Sequence, residues 1–398
     1  MIATLVFFIL LLAKIMILCL TLPGTLELLT LTLAALAPKK GLVLDYSISK
    51  ISLPKLAVVI PAHNEANGIS ACIGNVQASL NQVSNCDLIV IADNCQDDTA
   101  DRAKSAGARV LIRHDAVNRG KGYALDYAFT ALLAEAYDGF LVIDADSRID
   151  NKLIGEFQFA FAQGVDALQC RYRISNPDDS LKTRLQYIAW LAFNELRLLG
   201  REKLNVSVGL LGNGFGLSRK ILEAVPYKAG SIAEDMEYHL RLVDAGYQVH
   251  FLDTVTVYAD TPNQDANHAV QRTRWEGGRF RLIIDHVPTL FMSVLRGKLN
   301  LFEPLAELLL LPLAFHVLLL LLTLLIPVTL LQYYAIVGLL LVCMHVLIAI
   351  LLAGGGLKDI KALLTVPFYI LWKLTLLTKL WRNMRVNAQW QRTERGDS

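Results

Sequence analysis

Apolar positions in this chain pool at its two ends. Residues 3 to 22 are almost wholly apolar apart from Lys14, Pro23-Gly24 interrupts, and residues 25 to 37 resume with Leu, Thr and Ala around Glu27. A bilayer span needs about 20 apolar residues, so this stretch predicts an anchor made of one helix or a tight hairpin of two. A cleaved signal peptide is the competing reading, but the run outlasts a usual h-region and no clear small-x-small site follows it. Toward the other end, residues 304 to 331 and 334 to 354 predict two spans joined at Gln332-Tyr333. Residues 363 to 377 form a shorter apolar run containing Lys373. Lys358 and Lys361 precede it, and Lys379, Arg382 and Arg385 follow. Basic flanks on both sides predict a helix lying in the membrane interface, with a third full span as the alternative.

Between the ends the rhythm changes. Short apolar, β-branched runs at Leu56–Ile60, Leu88–Ala92, Arg109–Arg113, Phe140–Ile143 and Ala167–Tyr172 predict strands, with helical patterns between them. Strands this uniformly apolar belong in a mainly parallel sheet covered on both faces, an α/β nucleotide-binding fold flanked by transmembrane helices. The expected organisation is an anchor over 1–40, one α/β domain over 51–280, an interfacial segment over 281–303, two spans over 304–355, and an interfacial helix with a basic cytoplasmic tail over 356–398.

Composition agrees with a membrane protein carrying a soluble domain: 54% of residues are hydrophobic, and the net charge is only +2. The basic residues read as topology signals and anionic-lipid contacts, not as a nucleic-acid surface. Lys39 and Lys40 before the domain, and Arg279, Arg281, Arg296 and Lys298 after it, place that domain in the cytoplasm. The six cysteines are scattered without CxxC spacing, as expected of free thiols in a reducing compartment.

In open α/β sheets ligands bind beyond the carboxyl ends of the strands. Pro61-Ala62-His63-Asn64-Glu65 follows the first predicted strand, Asp93 ends the second, and Asp144-Ala145-Asp146 follows the fourth. Residues two apart in extended chain point the same way, so Asp144 and Asp146 can present two hard oxygens to Mg²⁺ or Mn²⁺. The alternative is that both acids solvate a turn. Asp93 can accept a uracil N–H, while Asp97 and Asp98 start the next helix. Asn64 is either a ligand contact or a cap for a helix beginning near Glu65. Asn118-Arg119-Gly120-Lys121-Gly122 is a basic glycine-rich loop in which Lys121 can meet a phosphate, a plain turn being the other reading; it lacks the ATP-binding P-loop pattern.

Ser231 and Glu234 fit a capping box, which would leave Asp235 facing the cleft as a general base. Gln271, Arg274 and Trp275 share a helix face by their i, i+3, i+4 spacing. Arg274 can bind a leaving diphosphate, Trp275 can stack on a sugar, and Gln271 can donate hydrogen bonds. Arg and Trp beside a membrane segment also fit an interfacial anchor.

Taken in order, Asp93, Asp144-x-Asp146, Glu234-Asp235 and Gln271-x-x-Arg274-Trp275 resemble the pattern of membrane-bound family 2 glycosyltransferases of the GT-A fold. That superfamily holds cellulose, chitin and hyaluronan synthases and ceramide glucosyltransferases. The resemblance covers about residues 55 to 280. It implies that Asp93 and Glu65, with Pro61 and His63 on the same segment, hold the uridine of a UDP-sugar. Lys121 and Asp144 would lie along the nucleotide sugar, Asp146 would hold the divalent cation with Asp144, and Asp235 would be the base. Gly212-Asn213-Gly214 stands where relatives carry a small-residue loop lining the sugar and acceptor site. Ala233 departs from the common Thr before Glu-Asp. The chain also has fewer spans than the polymer synthases, which use theirs as a secretion channel; a homo-oligomer or polysaccharide-assembly partners would have to supply one.

The implied reaction is a single displacement with inversion, in which Asp235 deprotonates an acceptor hydroxyl and the metal and Arg274 stabilise departing UDP. The acceptor is either a growing exopolysaccharide or cell-surface glycan, or a lipid such as ceramide, diacylglycerol or polyprenyl phosphate that takes one sugar. The Gln-Arg-Thr-Arg-Trp form resembles the synthases and favours the first. A catalytically dead nucleotide-sugar sensor could have lost the Glu-Asp or Arg-Trp elements, and both persist. A transporter would carry polar residues within more spans. The compact anchors suit a bacterial inner membrane.

Overall fold

The computed structural model describes residues 2–39, 41–48, 52–261 and 265–375. The chain opens with α1 (Ile2–Leu36), one helix that runs through Pro23-Gly24 instead of folding into a hairpin. Eight strands among the described residues then build a single sheet. They are β1 (Leu56–Ala62), β2 (Cys86–Asp93), β3 (Arg109–Arg113), β4 (Gly139–Val142), β5 (Ser147–Ile149), β6 (Ala167–Ile174), β7 (Phe215–Ser218) and β8 (His250–Ala259), in the spatial order β3-β2-β1-β4-β7-β6-β8-β5. The first four neighbours run parallel, with Val58 opposite Leu88 and Leu141. Beyond them β7 is antiparallel to both β4 and β6, β8 is parallel to β6, and β5 is antiparallel to β8.

All five expected strands are present, and β5, β7 and β8 are additional. The first two are only three and four residues long, too short to show a period. The alternation Val255-Thr256-Val257-Tyr258 in β8, by contrast, was legible.

Leu56 to Ile60 are fully buried, as a sheet covered on both faces requires. The two-residue period of β1 sends Val58 and Ile60 to one core and Ala57 and Val59 to the other. On the first face lies α2 (Ile69–Leu80), whose Ile69, Ile73 and Val76 recur at helical spacing. After α3 (Thr99–Ser105), the opposite face is covered by Leu125, Phe129 and Leu132 of α4 (Lys121–Leu133).

Further along come α5 (Leu153–Ala162), which packs on the α2 side, and α6 (Leu181–Trp190). The latter widens into a π-helical turn over Leu191–Leu196 before continuing as α7 (Arg197–Leu204). Next are α8 (Arg219–Ala224), α9 (Glu234–Asp244) and α10 (Asp265–Leu295), the last of which runs into the 281–303 stretch. The six cysteines are free.

The C-terminal helices are α11 (Phe302–Leu309), α12 (Leu313–Leu324), α13 (Thr329–Leu352), α14 (Leu357–Leu363) and α15 (Val366–Thr375). Among the described residues two helices, α1 over Lys14–Leu36 and α13, are long and apolar enough to cross a membrane. The expected span over 304 to 331 is broken: α11 and α12 meet at an angle of 72°. Pro312, which has no N–H to donate, stands at the start of α12. The turn before α13 falls between Leu324 and Thr329 and not at Gln332-Tyr333, which lie inside α13. The expected run over 363 to 377 falls mainly on α15, its preceding basic flank lies on α14, and its end beyond residue 375 lies outside the described residues.

An ionic clamp ties the two ends of the chain to the α/β domain. Arg201 on α7 is buried between Glu27 of α1 (3.1 Å) and Glu303 and Glu307 of α11 (3.2 Å to Glu307). Arg197 also pairs with Glu27, and Lys203 Nζ donates to the carbonyls of Ala35 (2.6 Å) and Ala37 (2.8 Å). A buried cation needs this many partners because desolvating it alone would be costly. Close approach of α1 to α7 depends on Gly200, where a Cβ would stand 2.4 Å from the Leu31 carbonyl oxygen.

Candidate active site

The carboxyl ends of β1, β2 and β4 open into one cavity of about 2440 Å³. Pro61, His63, Glu65, Asp93, Lys121 and Asp144 line it, together with Asp146, Gly212, Glu234 and Asp235. Most residues singled out from the sequence are therefore brought to one place.

The β1 and β2 exits are locked to each other. His63 Nδ1 lies 2.7 Å from the Asp93 carbonyl oxygen, and Asn64 Oδ1 accepts from the Gln96 N–H at 2.7 Å. Asn64 takes a left-handed backbone (φ 54°), and α2 begins at Ile69, so Asn64 is not a helix cap but a strap between the two loops. Asp97 behaves as expected, accepting from the Thr99 N–H at the start of α3.

Asp93 is buried, and its Oδ1 accepts from Arg113 Nη1 (2.6 Å) and Asn94 Nδ2 (3.0 Å). The other Arg113 nitrogen, Nη2, donates to Asp115 Oδ2 (2.9 Å) and to the Asn118 carbonyl (2.8 Å). One guanidinium thus fixes both the carboxylate meant for a nucleobase and the loop that leads to Lys121. Sequence reasoning missed Arg113. It ends β3 and reads there as an edge charge, twenty residues from the acid it neutralises.

Lys121, expected against a phosphate, donates to Asp144 Oδ1 and to the Gly212 carbonyl at 2.5 Å. Burial pulls its pKa down, but Asp144 and Glu234 outweigh that and the net shift is upward, so it stays an ammonium. Asp144 N–H donates to Asn213 Oδ1 (3.1 Å), Asn213 Nδ2 to Ser147 Oγ (2.8 Å), and Ser147 Oγ to Asp146 Oδ1 (3.3 Å). Asn213 is itself fully buried, and a Cβ on Gly214 would come 2.5 Å from Cys170 Sγ. Of the expected Gly212-Asn213-Gly214 lining, only Gly212 faces the cavity; Asn213 holds the Asp144–Asp146 turn from behind, and the Gly214 N–H donates to the Val142 carbonyl of β4 (3.0 Å).

The capping box does not form. Ser231 N–H donates to Glu237 Oε2 (3.0 Å), Ala233 precedes α9, and Glu234 is its first residue. Glu234 is thereby left at the cavity beside Asp235. Asp235 Oδ1 accepts from the Met236 N–H (2.8 Å), and Oδ2 is so close to Gly212 that a Cβ there would stand 3.0 Å away. Gly212 is also left-handed (φ 78°), which only glycine adopts without strain. Likewise a Cβ on Gly122 would fall 1.9 Å from the Ala229 carbonyl oxygen, so α4 and the loop entering α9 touch through backbone. Burial raises the pKa of both acids; the negative charge of Asp235 adds to it for Glu234, which is pushed up to about 8, and that of Asp144 adds to it for Asp235.

Gln271, Arg274 and Trp275 fall on α10, but their side chains lie outside the described residues. Asp144 and Asp146 offer two hard oxygen donors, the number with which Mg²⁺ or Mn²⁺ is held when diphosphate oxygens and water complete the shell. Among the described residues no group of three or more His, Cys, Asp or Glu is placed to hold a metal. The donor set therefore fits a cation shared with a diphosphate, not a closed protein cage.

Residues 54–278, the whole α/β domain with this constellation, match the family model described as glycosyltransferase like family 2. The chain is a family 2 glycosyltransferase. The transferase is 25% identical to the probable glycosyltransferase YdaM of Bacillus subtilis over 249 residues, 60% of this chain and 58% of that one. It is 37% identical to the low-salt glycan biosynthesis hexosyltransferase Agl6 of Haloferax volcanii over 97 residues, 24% of this chain and 22% of that one. The matched region thus spans less than two thirds of these relatives' own lengths. Among solved structures, the mannosyltransferase PcManGT from Pyrobaculum calidifontis, in complex with GDP-Man and Mn²⁺, superposes with a TM-score of 0.54 and 15% identity over 92% of each chain. That likeness is one of fold: the transferase is built on GT-A architecture.

Proposed function

We propose that this transferase moves a hexose, with inversion, from a nucleoside diphosphate sugar to a hydroxyl of a membrane-associated acceptor. What carries the reading is an unbroken chain of contacts: Asp235 against Gly212, the Gly212 carbonyl on Lys121, and Lys121 on Asp144. A base and a diphosphate-neutralising group are thereby both held against one glycine.

In the reaction Asp235 accepts the proton of the acceptor hydroxyl, and the oxygen forms a bond to the anomeric carbon. The bond from that carbon to the diphosphate oxygen breaks, and its electron pair leaves with the nucleotide. Lys121 supplies fixed positive charge where negative charge develops, which is usually the largest catalytic term. Asp144 and Asp146 would hold a divalent cation, which would supply Lewis-acid stabilisation to the same diphosphate. Asp93 is oriented by Arg113 to accept an N–H from the base, a donor that both uracil and guanine carry. UDP is our reading of the donor, while the solved structure of PcManGT contains GDP-Man.

A raised carboxylate pKa suits a base working near neutral pH. The basic positions flanking the domain support a cytoplasmic site on a bacterial inner membrane. Two acceptor classes supply such a hydroxyl: a growing exopolysaccharide or cell-surface glycan, and a lipid that takes one sugar.

The test pairs Asp235→Asn with a panel of labelled UDP- and GDP-sugars in Mn²⁺. Transfer is expected to fall about 10²- to 10⁴-fold while nucleotide affinity is kept. Affinity falling as far as activity would remove Asp235 from the role of base.

A further inference from the structure

The cavity does not end at Asp235. Past Arg279, Phe280 and Ile283 it reaches the elbow at Leu310–Pro312 and continues between helices. There Val317 of α12, Leu339, Val342 and Val346 of α13, and Val366 and Ile370 of α15 line it. Arg279 stands at the entrance to this passage and is tied to the elbow, its Nη2 donating to the carbonyls of Glu307 (2.5 Å) and Leu310 (2.6 Å) where α11 ends.

We propose that this second chamber holds the hydrocarbon chain of an alcohol-headed lipid acceptor, so that the product is a glycolipid carrying one added sugar. The inference rests on the proposed transfer reaction and names its acceptor.

Three observations converge on it. First, small-molecule sites run to roughly 300–1,000 Å³. A cavity of about 2440 Å³ has room for a second substrate beside the donor. Second, the described side chains that line the helical chamber between α12, α13 and α15 carry no charge, and most are aliphatic. A glycan threading it would bury hydroxyls without hydrogen-bond partners, whereas an acyl or isoprenoid chain exchanges water for hydrocarbon. Third, the junction between the chambers presents the proposed base: Asp235 faces the cavity there beside Glu234. A lipid phosphate attacks through an oxygen that is already ionised and gives such a base no proton to remove, whereas an alcohol brings that proton.

The experiment uses full-length protein in membranes given labelled UDP- and GDP-sugars with Mn²⁺, followed by solvent extraction. Label is expected in the organic phase, in material stable to the mild acid that cleaves glycosyl phosphates. Val346→Trp, and independently Val366→Trp on another helix, fill the chamber and should lower that label at least tenfold while the purified variants keep their nucleotide affinity. Leu340→Trp, on the outward, exposed side of α13, should leave it unchanged. The inference is overturned by label confined to high-mass glycan, by acid-labile lipid label, or by chamber-filling variants that match wild type. If wild type neither binds nucleotide nor transfers any sugar, the underlying transfer reading fails as well, and that outcome is distinct from the other three.

Discussion

At the strand end of the cavity each polar group is held by another. Arg113 spans Asp93, Asp115 and Asn118; Asn213 spans Asp144 and Ser147; Lys121 spans Asp144 and Gly212. At the helix end Val317, Val342, Val346 and Ile370 have only non-directional packing. Directional contacts are made or broken, so the strand end can discriminate between chemical groups but tolerates little change. Hydrocarbon contacts scale with area, so the helix end discriminates by length and shape, and by degrees.

The comparison predicts a graded set of effects. Arg113→Met is the most severe, since it leaves Asp93 buried without its cation; losing one partner of such a pair costs about 3–5 kcal/mol. Thermal unfolding should shift down sharply, and calorimetry should show nucleotide binding lost even at temperatures where the variant is folded. A variant that unfolds normally and binds nucleotide would mean that Asp93 is not oriented by Arg113.

Val342→Ala tests the other end. It removes about two methylene equivalents of contact, an upper bound of about 1.6 kcal/mol or about 15-fold. That loss should fall on KM for the lipid, with kcat kept. A loss in kcat instead would erase the distinction between the two ends.

The smallest effect is a shift in pH dependence. Burial holds protons on Glu234 and Asp235 above the ordinary carboxylate range, Glu234 to about 8, so transfer should rise as pH climbs and the pair ionises. Glu234 still carries its proton while Asp235 ionises, so Glu234→Gln should move the rising limb of kcat/KM by well under one pH unit. A limb shifted down by a full unit or more would mean that Glu234 ionises first.

Much of the strand end was legible because it is built from local signals. Apolar β-branched runs marked β1 to β4, and acids placed directly after them marked Asp93, Asp144 and Asp146. What was not legible depends on partners far apart in sequence. Arg113 acquires meaning only when β3 lies beside β2. The Ser231–Glu234 spacing matched a capping box, but Glu237 reaches the Ser231 N–H instead and leaves Glu234 to the cavity. Asn213 looked like a lining residue because its neighbours are glycines, yet it lies behind the turn it supports.

At the helix end, an apolar run from 304 to 331 is long enough to read as one span. Pro312 and Pro327 were the visible warnings that it is not. That α12, α13 and α15 wall the same cavity as Asp235 is a tertiary fact with no local signature.

The ionic clamp at Arg201 bears on how the protein is made. Glu27 leaves the ribosome early, Arg201 midway and Glu303 and Glu307 late, so the site that closes around this guanidinium cannot be completed until the last third of the chain is synthesised. Until then Arg201 has only Glu27 of this set beside it, and α11 brings the other two carboxylates. A chain stopped before residue 303 would carry the strands, Lys121 and Asp235, yet lack two of the three carboxylates that join α1, α7 and α11 around one guanidinium.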